Sequence, residues 1–125
     1  MRRKFLAGSL GLLALAASRG VLAEPPEAKE QTRIERLIKF VENQKGMKFV
    51  RNGTEYTCEE AGKFLRGKMD AMGGEVRTAR QFIKRIASKS SMSGQPYQVK
   101  FADGKTLPAE AFLDEELNRI ERQPA

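Results

Sequence analysis

Three times along the chain a threonine is followed three residues later by glutamate or glutamine: Thr32 with Glu35, Thr57 with Glu60, and Thr78 with Gln81. In such a pair the hydroxyl accepts from a backbone N–H in the first helical turn, and the longer side chain reaches back to the cap, so each marks a helix start. After the first, Ile34, Leu37, Ile38 and Val41 recur at helical spacing until Gly46, which predicts a helix over 33–45. After the second, Ala61, Phe64, Leu65, Met69 and Met72 share one face, and Gly73-Gly74 ends the run. Gly62 and Gly67 weaken that helix by ~1 kcal/mol each relative to alanine, so it leans on packing. After the third, Phe82, Ile83, Ile86 and Ala87 are in phase and then fade into the serine-rich residues 88–93. Pro108 suits the first turn of a fourth helix carrying Phe112, Leu113, Leu117 and Ile120.

Between these helices lie two turn signals. Asn52-Gly53 tolerates the positive φ angles of a tight hairpin turn, with Phe49, Val50 and Tyr56 flanking it. Tyr97, Val99 and Phe101 alternate with polar residues, Asp103-Gly104 offers a second two-residue turn, and residues 105–107 return. The order is helix, hairpin, helix, and then the same again. The fold class is therefore α+β: about four helices around a small antiparallel sheet made of two short hairpins, with an α-ββ-α pseudo-repeat as the open structural question.

The first 23 residues have the form of an export signal. Arg2, Arg3 and Lys4 precede an apolar run over 5–17, and Val21-Leu22-Ala23 ends in small residues suited to cleavage. That run is shorter than the ~20 residues a membrane-spanning helix needs. The expected mature chain starts at Glu24 with a flexible, proline-rich leader over 24–31, followed by a single small domain over 32–125. The general secretory route is favoured, with the twin-arginine route as alternative on Arg2-Arg3; either places the protein in the bacterial periplasm. The whole chain carries 23 basic and 16 acidic residues, a charge of +7; without the four basic residues of the signal it is +3. Nucleic acid is thus an unlikely partner, since much of the basic excess belongs to the export segment.

The chain has no histidine and a single cysteine, Cys58. Histidine-dependent triads and the usual zinc sites are excluded, as is an internal disulfide. No cofactor motif is present. What survives is a Ser–Lys dyad, carboxylate chemistry, or the lone thiol.

In the serine stretch 88–97, the functional reading pairs Ser90 or Ser91 with Lys89 or Lys84 as base, which requires burial to lower the lysine's pKa. Both lysines fall off the apolar stripe. The structural reading has Ser88, Ser90, Ser91 and Ser93 bonding free carbonyls at a helix end and shaping the descent to Tyr97. Glu55, Glu59 and Glu60 cluster at a helix start, where acids complement the macrodipole. Cys58 falls in a first helical turn, where the dipole lowers a thiol's pKa, making it a candidate redox or dimer-forming thiol. Arg77, Arg80 and Lys84 share a helix face, a candidate docking surface for an anionic envelope component such as lipid headgroups or acidic glycan.

Taken together and in order, the stretches FVRNGTEYTCEEAGKFLRGK (49–68), RTARQFIKRIASKSSMSGQPYQV (77–99) and DGKTLPAEAFLDEEL (103–117) resemble the YfeK-like family of small secreted bacterial proteins. The resemblance covers nearly all of the expected mature chain, and its most specific parts are the Asn-Gly-x-x-Tyr and the serine-rich runs. The family is classed as a domain of unknown function, so the resemblance implies location and architecture but no catalytic residue. Many members have histidine in a Glu-Ala-x-x-His-Leu pattern; here Phe64 stands in that place.

The leading expectation is a non-enzymatic binding or accessory module of the cell envelope. A small Ser/Lys hydrolase or transferase using the 88–97 loop is one alternative. A structural or stress-related oligomer, a homodimer linked through Cys58, is the other.

Overall fold

The structure, a computed structural model, describes residues 26–123. The expected export signal over 1–23 lies outside the described residues.

Helix α1 runs Ala28–Glu42 and buries Ile34, Leu37, Ile38 and Val41, the expected stripe. Its start differs. Thr32 and Glu35 lie inside the helix, and Glu27 is an N-cap without a side-chain bond. Residues 28–31, assigned above to a flexible leader, are helical. The physical reason is tertiary: Glu30 Oε1 accepts from the Ala79 backbone N–H at 2.8 Å, and Glu30 also pairs with Arg33 at 3.0 Å. The upstream turn is held by a helix 49 residues away.

Strands β1 (Lys48–Arg51) and β2 (Thr54–Thr57) pair antiparallel, with Asn52 (φ 51°) and Gly53 (φ 80°) both in the left-handed region, as the turn type requires. Helix α2, Cys58–Met72, opens with the expected complete capping box: Thr57 Oγ1 accepts from Glu60 N at 3.0 Å, and Glu60 Oε1 from Thr57 N at 2.9 Å. Its buried residues are Cys58, Ala61, Gly62, Leu65 and Lys68. The expected face is thus rotated: Met72 is 54% exposed, and Lys68 lies inside. Gly62 is where α1 crosses, since a Cβ there would collide with the Glu42 side chain.

Helix α3 starts at Ala79 with Thr78 Oγ1 accepting from Gln81 N at 3.1 Å; Gln81 Oε1 accepts from Arg77 N, one residue before the cap. After Ala79–Phe82 it widens into a π turn over Ile83–Ala87. Ile83, Ile86 and Ala87 are buried there. Residues 88–97 then fold back on themselves: Tyr97 N donates to Ser88 O, Ser90 N to Gln95 O, and Gly94 N to Ser90 O, each at 2.9 Å.

Strands β3 (Gln98–Lys100) and β4 (Thr106–Pro108) form the second hairpin. Its turn is one residue longer than expected. Phe101 N donates to Lys105 O and Gly104 N to Phe101 O, with Gly104 at φ 90°, so residues 102–104 make a three-residue loop. Asp103 Oδ1 supports it by accepting from Lys105 N at 2.9 Å. Pro108 closes β4 and caps α4, Ala109–Glu121, rather than lying within its first turn.

The strands form one antiparallel sheet in the order β2-β1-β3-β4. The central pair, β1 with β3, sets Phe49 opposite Val99. Tyr56 and Leu107 extend that row to the edges. Phe49, Val99 and Tyr97 join Leu37, Leu65, Phe82, Ile86, Leu113 and Leu117 in one core. The molecule is α+β, and the helix-hairpin-helix order occurs twice, with the halves meeting at β1 and β3.

Candidate functional site

A groove with a volume of about 380 Å³ opens between α2, the end of β1 and the 88–97 loop. Phe64, Gly67, Lys68 and Met72 come from α2, Arg51 from β1, and Tyr97 from the loop's end. Register places Arg51 on the same sheet face as Phe49, two residues on, so it points toward the helices at the sheet's margin.

Lys68 is 7% exposed, and its Nζ donates to Lys89 O and to Tyr97 Oη, both at 3.0 Å. No carboxylate pairs with it among the described residues. Burial pushes its pKa below the usual lysine value, and the Arg51 charge pushes in the same direction. Burial raises the Tyr97 phenol, and Arg51 partly opposes that rise. Arg51 stacks 4.4 Å over the Phe64 ring and lies 5.5 Å from the Tyr56 ring, and no ion pair to it is found among the described residues. Two cations without an ion-pair partner among the described residues therefore face one groove, Lys68 against neutral oxygens and Arg51 against aromatic rings.

The serines serve the loop. Ser88 Oγ donates to Lys84 O at 2.6 Å, the carbonyl-bonding role expected at a helix end. Ser90 is buried, and its Oγ accepts from Met92 N and Ser93 N at 3.2 Å and from Asn52 Nδ2 at 3.4 Å. Ser93 Oγ donates to Asn52 Oδ1 at 2.6 Å, and Ser91 Oγ to Met72 Sδ at 3.7 Å. The Asn52-Gly53 turn, at the end of the strand next to β3, thus clamps the loop. Lys89 is exposed, offers its carbonyl to Lys68 and bridges Pro96. Neither Lys89 nor Lys84 takes the buried position that a base requires; Lys68 does.

The basic face of α3 does not join the groove. Arg80 bonds Asp114 at 3.1 Å and Glu121 at 2.9 Å, and Lys84 pairs with Glu110 at 3.6 Å. Much of its charge is answered by the acidic side of α4; Arg77, nearby, is exposed. Cys58 is buried, its Sγ donating to Met47 O at 3.6 Å. Burial raises its pKa, the reverse of the lowering expected from the helix dipole, with Lys48 only partly opposing. A second cleft of about 740 Å³ lies over Cys58, between the end of α1 and the start of α2, but Glu42, Glu59, Lys45, Lys48 and Lys63 give it mixed charge.

Sequence reasoning missed Lys68 and Arg51. A signal for Lys68 was there: it falls three residues after Leu65 and seven after Ala61, a cation in the phase of the buried stripe. Arg51 had no such signal, because only the loop and α2 together make its surroundings. Among the described residues no three Cys, Asp or Glu side chains are grouped to hold a metal ion, and no helix is long and apolar enough to cross a membrane.

Comparison with known proteins agrees with the resemblance read from the sequence. Over 70 residues the chain is 41% identical to the uncharacterized protein YfeK of Salmonella typhimurium strain LT2, an alignment covering 56% of this chain and 58% of that protein. The chain therefore spans somewhat over half the length of this relative. No solved structure matches. A model described as a family of unknown function, DUF5329, matches residues 28–121, from the first turn of α1 to the last of α4, and the chain belongs to that family.

Proposed function

We propose that this protein is a non-enzymatic binding module of the bacterial cell envelope, exported by its N-terminal segment, that accepts an anionic group between Arg51 and Lys68. The observation that carries this reading is the pair of cations without carboxylate partners in one groove, beside an α3 basic face largely answered by α4. A buried ammonium with only neutral acceptors is costly. An anion entering the groove supplies the missing charge at a site already formed. Backbone NMR shifts on titrating acetate or inorganic phosphate at low salt test the proposal. Shifts are expected to centre on α2 and the 88–97 loop, to weaken with salt, and to vanish in Lys68→Met and Arg51→Gln but not in Arg80→Ala. Shifts that persist in both groove variants would remove it. Export is checked by fusing residues 1–23 to a reporter enzyme that is active only outside the cytoplasm.

One feature favours a hydrolase as second reading: Lys68 is a buried amine whose pKa burial lowers, beside a serine-bearing loop. Against it, Ser90 Oγ already accepts from two backbone amides, and Ser91 Oγ bonds a methionine. Labelling of Ser90 or Ser91 by a fluorophosphonate, lost in Lys68→Met, would establish this alternative.

A further inference from the structure

Three features of the groove are left unexplained by an anion alone. Among the described residues the exposed large hydrophobic side chains are Met72, at 54%, and Met92, at 96%, and both line this groove. They stand on different segments, α2 and the tip of the loop, and the Ser91 hydroxyl bonds the Met72 sulfur so as to tie one to the other. Exposed apolar side chains gathered at one spot mark a contact surface, and methionine adapts to varied apolar shapes. The third feature is Gly67. It sits in the interior of α2, where glycine is a poor helix former, yet a Cβ there would meet nothing within 4 Å. Gly62 has its reason in the crossing of α1; among the described residues nothing stands against Gly67.

We infer that the groove takes an amphipathic carboxylate, its head between Arg51 and Lys68 and its alkyl body lying over Gly67 and out between Met72 and Met92. The inference rests on the groove being the anion site proposed above. Charge complementarity selects the sign of the head. The bare helix surface at Gly67 lets an extended chain lie close to the backbone, and the two thioethers give it flexible apolar walls. The volume of about 380 Å³ falls within the range of small-ligand pockets, about 300–1,000 Å³.

The test is a calorimetric and NMR titration of the folded protein with acetate, hexanoate and decanoate, and with decyltrimethylammonium as the cationic counterpart. Affinity is expected to rise about two- to fourfold per methylene as the chain becomes buried. Gly67→Leu, which fills the space over the helix with a good helix former, is expected to weaken decanoate at least tenfold while leaving the acetate shifts in place. Met72→Gln with Met92→Gln is expected to weaken decanoate several-fold without changing acetate. Acetate binding with no dependence on chain length would overturn this inference and leave the anion site standing. Absence of all binding would overturn both. Decyltrimethylammonium binding as tightly as decanoate, or decanoate unaffected by all three substitutions, would also overturn it.

Discussion

The Lys68 ammonium donates to the Tyr97 phenolic oxygen at 3.0 Å, joining α2 to the end of the serine-rich loop through a buried hydrogen bond. A charged donor meets a neutral acceptor inside the protein, with the Lys89 carbonyl as its second partner. Such a contact positions the loop but leaves the charge itself unanswered.

Lys68→Met keeps the stem's volume and removes the charge. Its stability is expected to lie between that of the parent and about 1 kcal/mol above it, because lost hydrogen bonds and relieved desolvation offset each other. The pH dependence gives the sign. Lys68 titrates below its usual 10.5 in the folded state, so between that lowered value and 10.5 the unfolded chain binds more protons and stability rises with pH. Any advantage of Lys68→Met should therefore shrink as pH climbs toward 10.5. Urea unfolding of both proteins at matched pH values below the tyrosine range measures it. The difference cancels the opposing contribution of Cys58, whose raised value loses stability at high pH, but not that of Tyr97, which bonds Lys68 directly.

Gly62 and Gly67, five residues apart on α2, should respond oppositely to alanine. Gly67→Ala meets open space and is expected to gain up to ~1 kcal/mol from helix propensity. Gly62→Ala pushes into Glu42, whose carboxylate pairs with Arg66 at 3.1 Å, and loses that gain or more. Thermal or urea midpoints of the two variants decide the order.

Asn52 has two duties that substitution separates. Asn52→Gly keeps the left-handed turn but releases Ser90 and Ser93, with an expected loss of about 1–2 kcal/mol. Asn52→Ala also strains the turn, adding about 1 kcal/mol. Amide exchange at Met92 and Ser93 should quicken in both.

Cys58 is buried and its thiol is held protonated by desolvation. Modification by a thiol reagent at pH 8 is expected to be slower on the order of tenfold or more in native protein than in urea. Oxidant should leave a monomer band on a non-reducing gel; a covalent dimer formed without denaturant would contradict the burial.

What could be read from the sequence was local in origin. The Thr57–Glu60 box and the Asn52-Gly53 turn involve neighbours in the chain and appear as expected. Thr32 and Glu35 show the same pattern but sit inside α1, because the Glu30 contact to Ala79 N decides where that helix begins. The second hairpin's three-residue loop differs from the two-residue one by a single position that Asp103-Gly104 alone does not specify. The site was harder still. The serine loop drew attention as chemistry, whereas the charged groups under it, Lys68 and Arg51, acquire their surroundings only when that loop closes over α2. The Arg80 and Lys84 face looked free until α4 packed beside it.

The sheet's order places one further demand on this chain. Each half owns only a two-stranded ribbon, and an isolated hairpin of this length is marginal in water. Only the β1–β3 pairing, between residues about fifty apart, makes four strands. A chain cut between α2 and α3 is therefore expected to give two fragments that regain the far-ultraviolet circular dichroism of the whole only when mixed; a fragment that folds alone would show that its own helices suffice to hold its hairpin.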